Sequence, residues 1–222
     1  MGYTAPVKSI AIVCALEFER RKLARGRAER VRVVLAGQGA QRAASCVRTL
    51  ADQGVRVAIL AGVAGGLRLT PMCPRVSRVV DRHGSSWTPT LGAESAGGIT
   101  LLGVDEPVID PGQKAALGVA HDADVVDCES HGFAEAASRA GLDWTIVRGV
   151  SDGPRDRLDP RIVAWIDESG RVRRARLVTD VLRCPLLVGR VSRLARCAGR
   201  AMHAVSARVD EIIRATEADA DG

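Results

Sequence analysis

The chain has 222 residues, 46% of them hydrophobic and only 3% aromatic, with a formal net charge of +6. The apolar content excludes an intrinsically disordered chain, the length fits one α/β domain, and the scarcity of aromatics removes the stacking platforms of a single-strand nucleic-acid binder. Six cysteines (Cys14, Cys46, Cys73, Cys128, Cys184 and Cys197) form no C-x-x-C pair and have no histidine at zinc-finger spacing, which reads as free thiols in a reducing compartment.

In chain order, "SIAIVCA" (9–15) reads as a buried strand and "EFERRKLARG" as a helix ended by glycine. "VRVVLAG" (31–37) is a second strand, followed by a helix in "QRAASCVRTLADQG" that closes at Gly54. "VRVAILAG" (55–62) is a third strand running into a glycine-rich turn, "GVAGGL". Strands are expected at 75–81 and 98–104, a short helix with proline in its first turn at "PGQKAALGVA", a strand at "ADVVDC" and a helix at "ESHGFAEAASRAG". "WTIVRGV" is the last strand; beyond residue 156 the pattern is helical, with a turn at 167–172. This alternation predicts a three-layer α/β fold, a central mostly parallel or mixed sheet flanked by helices. One domain over 1–222 is expected, with a basic helical C-terminal extension at 183–215. Residues 171–200 hold nine arginines against one acid, Asp180, so the basicity belongs to that segment. Its leucines and valines alternate with the arginines in amphipathic fashion, which leaves peripheral contact with a membrane surface open.

Ligands in open α/β sheets sit at the carboxyl ends of strands. Collecting the polar residues there brings together Glu17 and Glu19, the stretch Gly62, Val63, Ala64, Gly65 and Gly66, then Glu129, Ser151 and Asp152. Singly, each has a plainer reading: a tight turn for the glycines, solvated acids at helix starts for Glu19 and Glu129, a turn residue for Asp152. Arg148 is harder to dismiss. A guanidinium inside an apolar strand costs several kcal/mol unless paired, so a carboxylate such as Glu19 or Glu129 must answer it. No histidine–carboxylate spacing points to a metal, Ser45 and Ser151 lack a nucleophile elbow or a histidine partner, and no cofactor motif is present.

The series "CALEFER", "AGVAGGL", "VVDCESHGFAEAA" and "IVRGVSDGP" resembles, in order and spacing across 9–156, the nucleoside phosphorylase/nucleosidase superfamily. Within it, "DCESHGFAEAA…VRGVSDGPRDRLDP" and "WIDESGRVRRARLVTDVLRCP" are most similar to the hopanoid-associated nucleosidases, which remove adenine from adenosylhopane to leave ribosylhopane. The resemblance implies cleavage of a purine N-glycosidic bond through an oxocarbenium-like ribose. It implies Asp152 as the acid at purine N7, with Ser151, Val108 and Ile109 beside the base. Glu129 and Cys128 would meet the ribose, Glu19 would activate the water, and Arg148 would sit next to that water. The glycine stretch 62–66 would form a loop under the sugar. "LEFER" stands where a phosphorolytic enzyme has a glycine–arginine phosphate loop, which favours water over phosphate.

Three positions depart from the methylthioadenosine nucleosidases: Val63 for a water-holding serine, Cys128 for a methionine, and Val108 with Ile109 for a phenylalanine. They turn the expectation toward a bulky apolar 5′ group, adenosylhopane first. The other enzymatic readings are a methylthioadenosine or adenosylhomocysteine nucleosidase and a phosphate-dependent phosphorylase. A nucleoside-binding protein without turnover is the reading outside enzymology. The expected partner is a small nucleoside and no nucleic acid, the expected assembly a homodimer, and the expected compartment the cytoplasm.

Overall fold

The computed structural model describes residues 10–27, 31–92 and 97–218. Ser9, assigned to the first strand from the sequence, lies outside them. The element order is β1 (Ile10–Cys14), α1 (Glu17–Leu23), β2 (Val31–Leu35), α2 (Ala40–Asp52), β3 (Val57–Gly66), β4 (Val76–Val80), β5 (Ser86–Trp87), β6 (Ile99–Gly103), α3 (Pro111–Ala120), β7 (Val125–Asp127), α4 (Ser130–Arg139), β8 (Asp143–Asp152), α5 (Pro160–Ala164), α6 (Arg174–Arg183) and α7 (Leu187–Ala218).

The strands form one eight-stranded mixed sheet in the order β2-β1-β3-β7-β6-β4-β5, with β8 also paired to β3. β1 pairs parallel with β2 and β3, and β8 runs parallel along all of β3. β7 meets the far end of β3 antiparallel at Gly65 and Gly66, and β4–β5 is the other antiparallel pair. Period-two alternation sorts the core onto two faces. Ala11, Val13, Ala58 and Leu60 pack with Val47, Leu50, Phe133 and Ala137 of α2 and α4. Ile10, Ile12, Val57 and Ile59 pack with Leu23 of α1 and Met202, Val205, Val209 and Ile213 of α7. The expected three layers are therefore present. The second half of α7 is one of them, because its apolar stripe is buried on the sheet. Gly149 makes that docking close: a side chain there would run into the Ala201 carbonyl, 2.8 Å from where its Cβ would stand.

Two boundaries differ from the sequence reading. Residues 62–66 are neither turn nor loop but the last half of β3, since pairing with β8 and β7 satisfies their backbone where composition signals a turn. β8 likewise runs through Ser151 and Asp152. A register shift at Ala64/Gly65 places Val150 opposite Ala64 and Asp152 opposite Gly65, leaving Ser151 as the extra residue of a bulge. Bulges of this kind re-aim side chains near a site.

Candidate active site

Strand register brings the charged residues together. Arg148 on β8 lies opposite Gly62 on β3. A Cβ at residue 62 would stand 2.6 Å from Arg148 Nη1 and closer still to Glu19 Oε1, so only glycine lets these two side chains meet over the strand. Arg148 is completely buried. Its Nε donates to Asp127 Oδ2 at 2.6 Å, and its Nη2 lies 2.5 Å from the same oxygen and 3.1 Å from Glu129 Oε2. Nη1, between Glu19 and Gly62, has no hydrogen-bond partner among the described residues.

The carboxylates come from two strand-to-helix junctions. Glu19, in the first turn of α1, reaches back so that Oε2 accepts from the Ala15 and Leu16 N–H groups at 3.1 and 2.9 Å. Its Oε1 accepts from Val63 N–H on β3 at 2.8 Å, tying helix to sheet. Asp127, the last residue of β7, accepts from the Glu129 and Ser130 N–H groups and thereby caps the start of α4. Glu129 accepts from Gly39 N–H at 3.1 Å. Burial pushes the carboxyls of Glu19 and Glu129 above their ordinary range, Glu129 to about 7, against the pull of Arg148. Three buried carboxylates thus face one guanidinium, an arrangement that welcomes further positive charge and repels an anion.

Asp152 lies further along β8, opposite Gly65 of β3, with its oxygens close to that glycine. Ser151 Oγ is 2.9 Å from Oδ1, while Oδ2 meets the ammonium of Lys114, a side chain of α3 with no exposed surface.

Glu19, Asp127, Glu129, Ser151 and Asp152 line a cavity of about 760 Å³, large enough for a nucleoside and a sizeable substituent, while Arg148 and Lys114 lie fully buried behind that lining. Its polar end holds Glu19, Asp127, Glu129, Ser151 and Asp152, with Val63, Ala64 and Gly65 as floor. Cys128 and Val108 are in its wall; burial holds the Cys128 thiol well above its ordinary pKa, so it serves as an apolar surface. The other end is aliphatic, built from Leu158, Ile162, Val163, Trp165 and Leu177 together with Val191, Leu194 and Ala198 of α7. Gly62, Gly66 and Ile109 are not in the lining; Ile109 instead uses its carbonyl to hold Leu158 N–H at 3.0 Å. Among the described residues no group of three or more His, Cys, Asp or Glu is placed to hold a metal ion.

Two charged residues of the site escape a reading of the sequence. Asp127 stands beside Glu129 in "VDCES" and had a visible signal, a strand-final aspartate two and three residues before amides it can cap. Lys114 had none, since a lysine in the first half of an ordinary helix reads as solvated.

No protein-family model matches the chain, and neither does any curated protein sequence. Solved structures share its fold at low identity. The 5′-methylthioadenosine/S-adenosyl homocysteine nucleosidase of Helicobacter pylori superposes with a TM-score of 0.67 at 12% identity, over 94% of this chain and 98% of that one. The 5′-methylthioadenosine nucleosidase of Arabidopsis thaliana gives 0.65 at 15%, over 95% and 96%. Futalosine hydrolase of Helicobacter pylori gives 0.59 at 15%, over 68% and 87%. At these identities the likeness is one of fold.

Proposed function

We propose that this chain is a purine nucleosidase that hydrolyses the N-glycosidic bond of an adenosine carrying a bulky apolar 5′ group, adenosylhopane foremost, to free adenine and the 5′-substituted ribose. The observation that carries the reading is the group of buried carboxylates, Glu19, Asp127 and Glu129, at the polar end of a largely apolar cavity and backed by Arg148, whose Nη1 has no hydrogen-bond partner among the described residues.

Departure of adenine leaves positive charge on C1′ and O4′ of the ribose, and an anionic, water-poor surround stabilises that charge more than it stabilises the neutral substrate. Glu129 accepts hydrogen bonds from the 2′ and 3′ hydroxyls, which strengthen as the sugar becomes cationic. Arg148 Nη1 donates to the attacking water and orients its lone pair toward C1′. Glu19 Oε1, beside Nη1 over Gly62, takes the water's proton. Asp152 protonates N7, so that adenine leaves as a neutral base. Phosphate is disfavoured as the nucleophile, because a dianion would join the carboxylates Glu19, Asp127 and Glu129, two of which already share Arg148.

The aliphatic end supports an apolar 5′ group, since a hydroxyl or carboxylate there would lose water without gaining a partner. The turn between α6 and α7 supports delivery from a lipid surface. Leu182 and Leu186 are 77% and 83% exposed at the α6–α7 turn, beside Arg183 and Arg190. Among the described residues, no helix is long and apolar enough to cross a membrane.

The test is adenine release from adenosines with long apolar 5′ groups and from methylthioadenosine, in phosphate-free buffer and with phosphate, alongside Asp152→Asn. Release without phosphate, faster for the apolar substrates and lost in the variant, is expected. Faster turnover of methylthioadenosine would place the activity with that substrate class. Dependence on phosphate would make it a phosphorylase and remove Glu19 as the water's base.

A further inference from the structure

The Lys114–Asp152 pair has no counterpart in the reasoning from sequence. Lys114 is one of the largest fully buried side chains of the molecule, and a buried ammonium is stable only if its donors are answered. All three are: by Asp152 Oδ2, by the Gly153 carbonyl at 2.9 Å and by the Asp156 carbonyl at 3.1 Å. The two carbonyls belong to the turn that follows β8. The Asp156 carboxylate organises that turn, accepting from Gly153 N–H at 2.8 Å and pairing with Arg193 of α7 at 2.6 Å. The ammonium is thus directed at Asp152, the carboxylate that the proposed reading sets at the base. With Ser151 Oγ at the other oxygen, each Asp152 oxygen has a partner, and the Lys114 ammonium already shares a proton with Oδ2.

We propose that Lys114 is the proton reservoir of the leaving group, acting through Asp152; the inference rests on the nucleosidase reading given above. As the C1′–N9 bond breaks, its electron pair enters the purine and N7 becomes basic. The Lys114 ammonium gives a proton to Asp152, and the carboxyl proton passes to N7. The water adds to C1′ and loses its proton to Glu19. Neutral adenine leaves, Lys114 is left as an amine, and it regains a proton through Asp152 when solvent re-enters, while Glu19 releases one. Protons balance over the cycle, and no co-reactant other than water is needed. Lys114 touches no substrate atom and is a positioning residue, with Asp152 between it and the base.

A lysine that only pins the turn would matter equally for every substrate, whereas a proton reservoir matters only when the leaving group needs a proton. The experiment compares a 5′-substituted adenosine with the matching 4-nitrophenyl riboside, whose phenolate leaves unprotonated. In Lys114→Met, kcat for adenine release is expected to fall by about 10²-fold or more with KM little changed, while nitrophenolate release is retained. Equal loss on both substrates, or no loss on adenosine, would overturn the proposal. Because Lys114→Met leaves a buried carboxylate unpaired and can fail to fold, the double variant with Asp152→Asn removes both charges together. Nitrophenolate release by the double variant equal to that of Asp152→Asn alone is expected; a further drop would mean that Lys114 acts other than through Asp152 and would overturn the relay. A wild-type protein that cleaves neither substrate overturns the nucleosidase reading itself, and this inference with it.

Discussion

At the sheet end of the cavity three buried carboxylates gather around Arg148, each held by backbone amides or by one another. At the helical end, aliphatic side chains from α5, α6 and α7 line the same cavity, and few polar contacts tie them down. Trp165 Nε1 bonds Asp180 at 2.8 Å, and Arg190 and Arg193 reach Asp159 and Asp156 from the surface. The first end is over-determined: every group has a geometric reason to stand where it does, and changing one leaves another charge stranded. The second is specified by volume and hydrophobicity, which tolerate exchange. A catalytic centre needs the first kind of construction, and a pocket for an apolar substituent needs only the second. On the proposed reading, reaction and substrate choice fall to different elements, so the two are expected to be separable by mutation.

The harshest break of this contrast is Arg148→Met. It strands Asp127 and Glu129 together in the interior, and a loss of about 3–5 kcal/mol is expected, measured by denaturant unfolding; a change near zero would mean that the carboxylates hold protons and need no cation. Glu19→Gln is next. Gln has one acceptor where Glu19 answers amides with both oxygens, so a stability loss of about 1–3 kcal/mol accompanies a fall in kcat of about 10²–10⁴-fold. Burst-free kinetics on folded protein at saturating substrate separate the two effects.

A pH series sharpens the polar end further. Burial raises the Glu129 carboxyl from its ordinary 4.5 to about 7. The folded chain therefore binds that proton more tightly than the unfolded chain. Its stabilising contribution is fully present below pH 4.5 and is lost as pH rises through 7. Activity runs the other way: kcat/KM rises with pH through about 7 as the carboxylate forms. Glu129→Gln should flatten both profiles, and an activity limb that persists in the variant would belong to another group.

At the aliphatic end the expected effects are smaller and selective. Leu194→Gln should leave stability within about 1 kcal/mol, since the residue is only half-buried. It should raise KM about tenfold for long apolar 5′ groups, the equivalent of one or two lost methylene contacts, and leave methylthioadenosine unaffected. An equal rise for both substrates would show that α7 shapes the whole cavity. Smallest of all, Leu182→Glu with Leu186→Glu should leave turnover of dispersed substrates unchanged while weakening sedimentation with anionic vesicles. Removing residues 183–222 would be a poor substitute, because Met202, Val205, Val209 and Ile213 are part of the sheet's own core.

Much of the scaffold was legible in the residues themselves. The runs "IAIVC" and "VAIL" are too short and too evenly apolar for surface helices, and they became β1 and the first half of β3. Proline in the first turn of "PGQKAALGVA" predicted the start of α3, and the Asp110 carboxylate just before it supplies the cap, accepting from Gly112 N–H at 2.8 Å. Where local composition and pairing conflicted, pairing won. "GVAGG" has every mark of a turn but stays in the strand, because β8 on one edge and β7 on the other provide its hydrogen bonds. The site was legible in part for the same reason. Arg148 was conspicuous as a charge in an apolar strand, and Glu19, Glu129 and Asp152 as acids at strand ends.

Sequence by itself marked Arg148 as an interior charge and Glu19, Glu129 and Asp152 as its acidic company at one edge of a layered α/β sheet, though not Asp127 or Lys114. Burial energy permits a guanidinium in a core strand only with partners, and chain alternation dictates where strand ends fall. Partner choice was decided by tertiary structure alone: Asp127 as the main partner of Arg148, Lys114 against Asp152, and α7 as both sheet cover and cavity wall. Those pairings join residues 21 and 38 positions apart, and a helix with a strand, across a register shift in β8. A hydrogen bond depends on distances of a few ångströms, and only the completed packing sets such distances between remote segments.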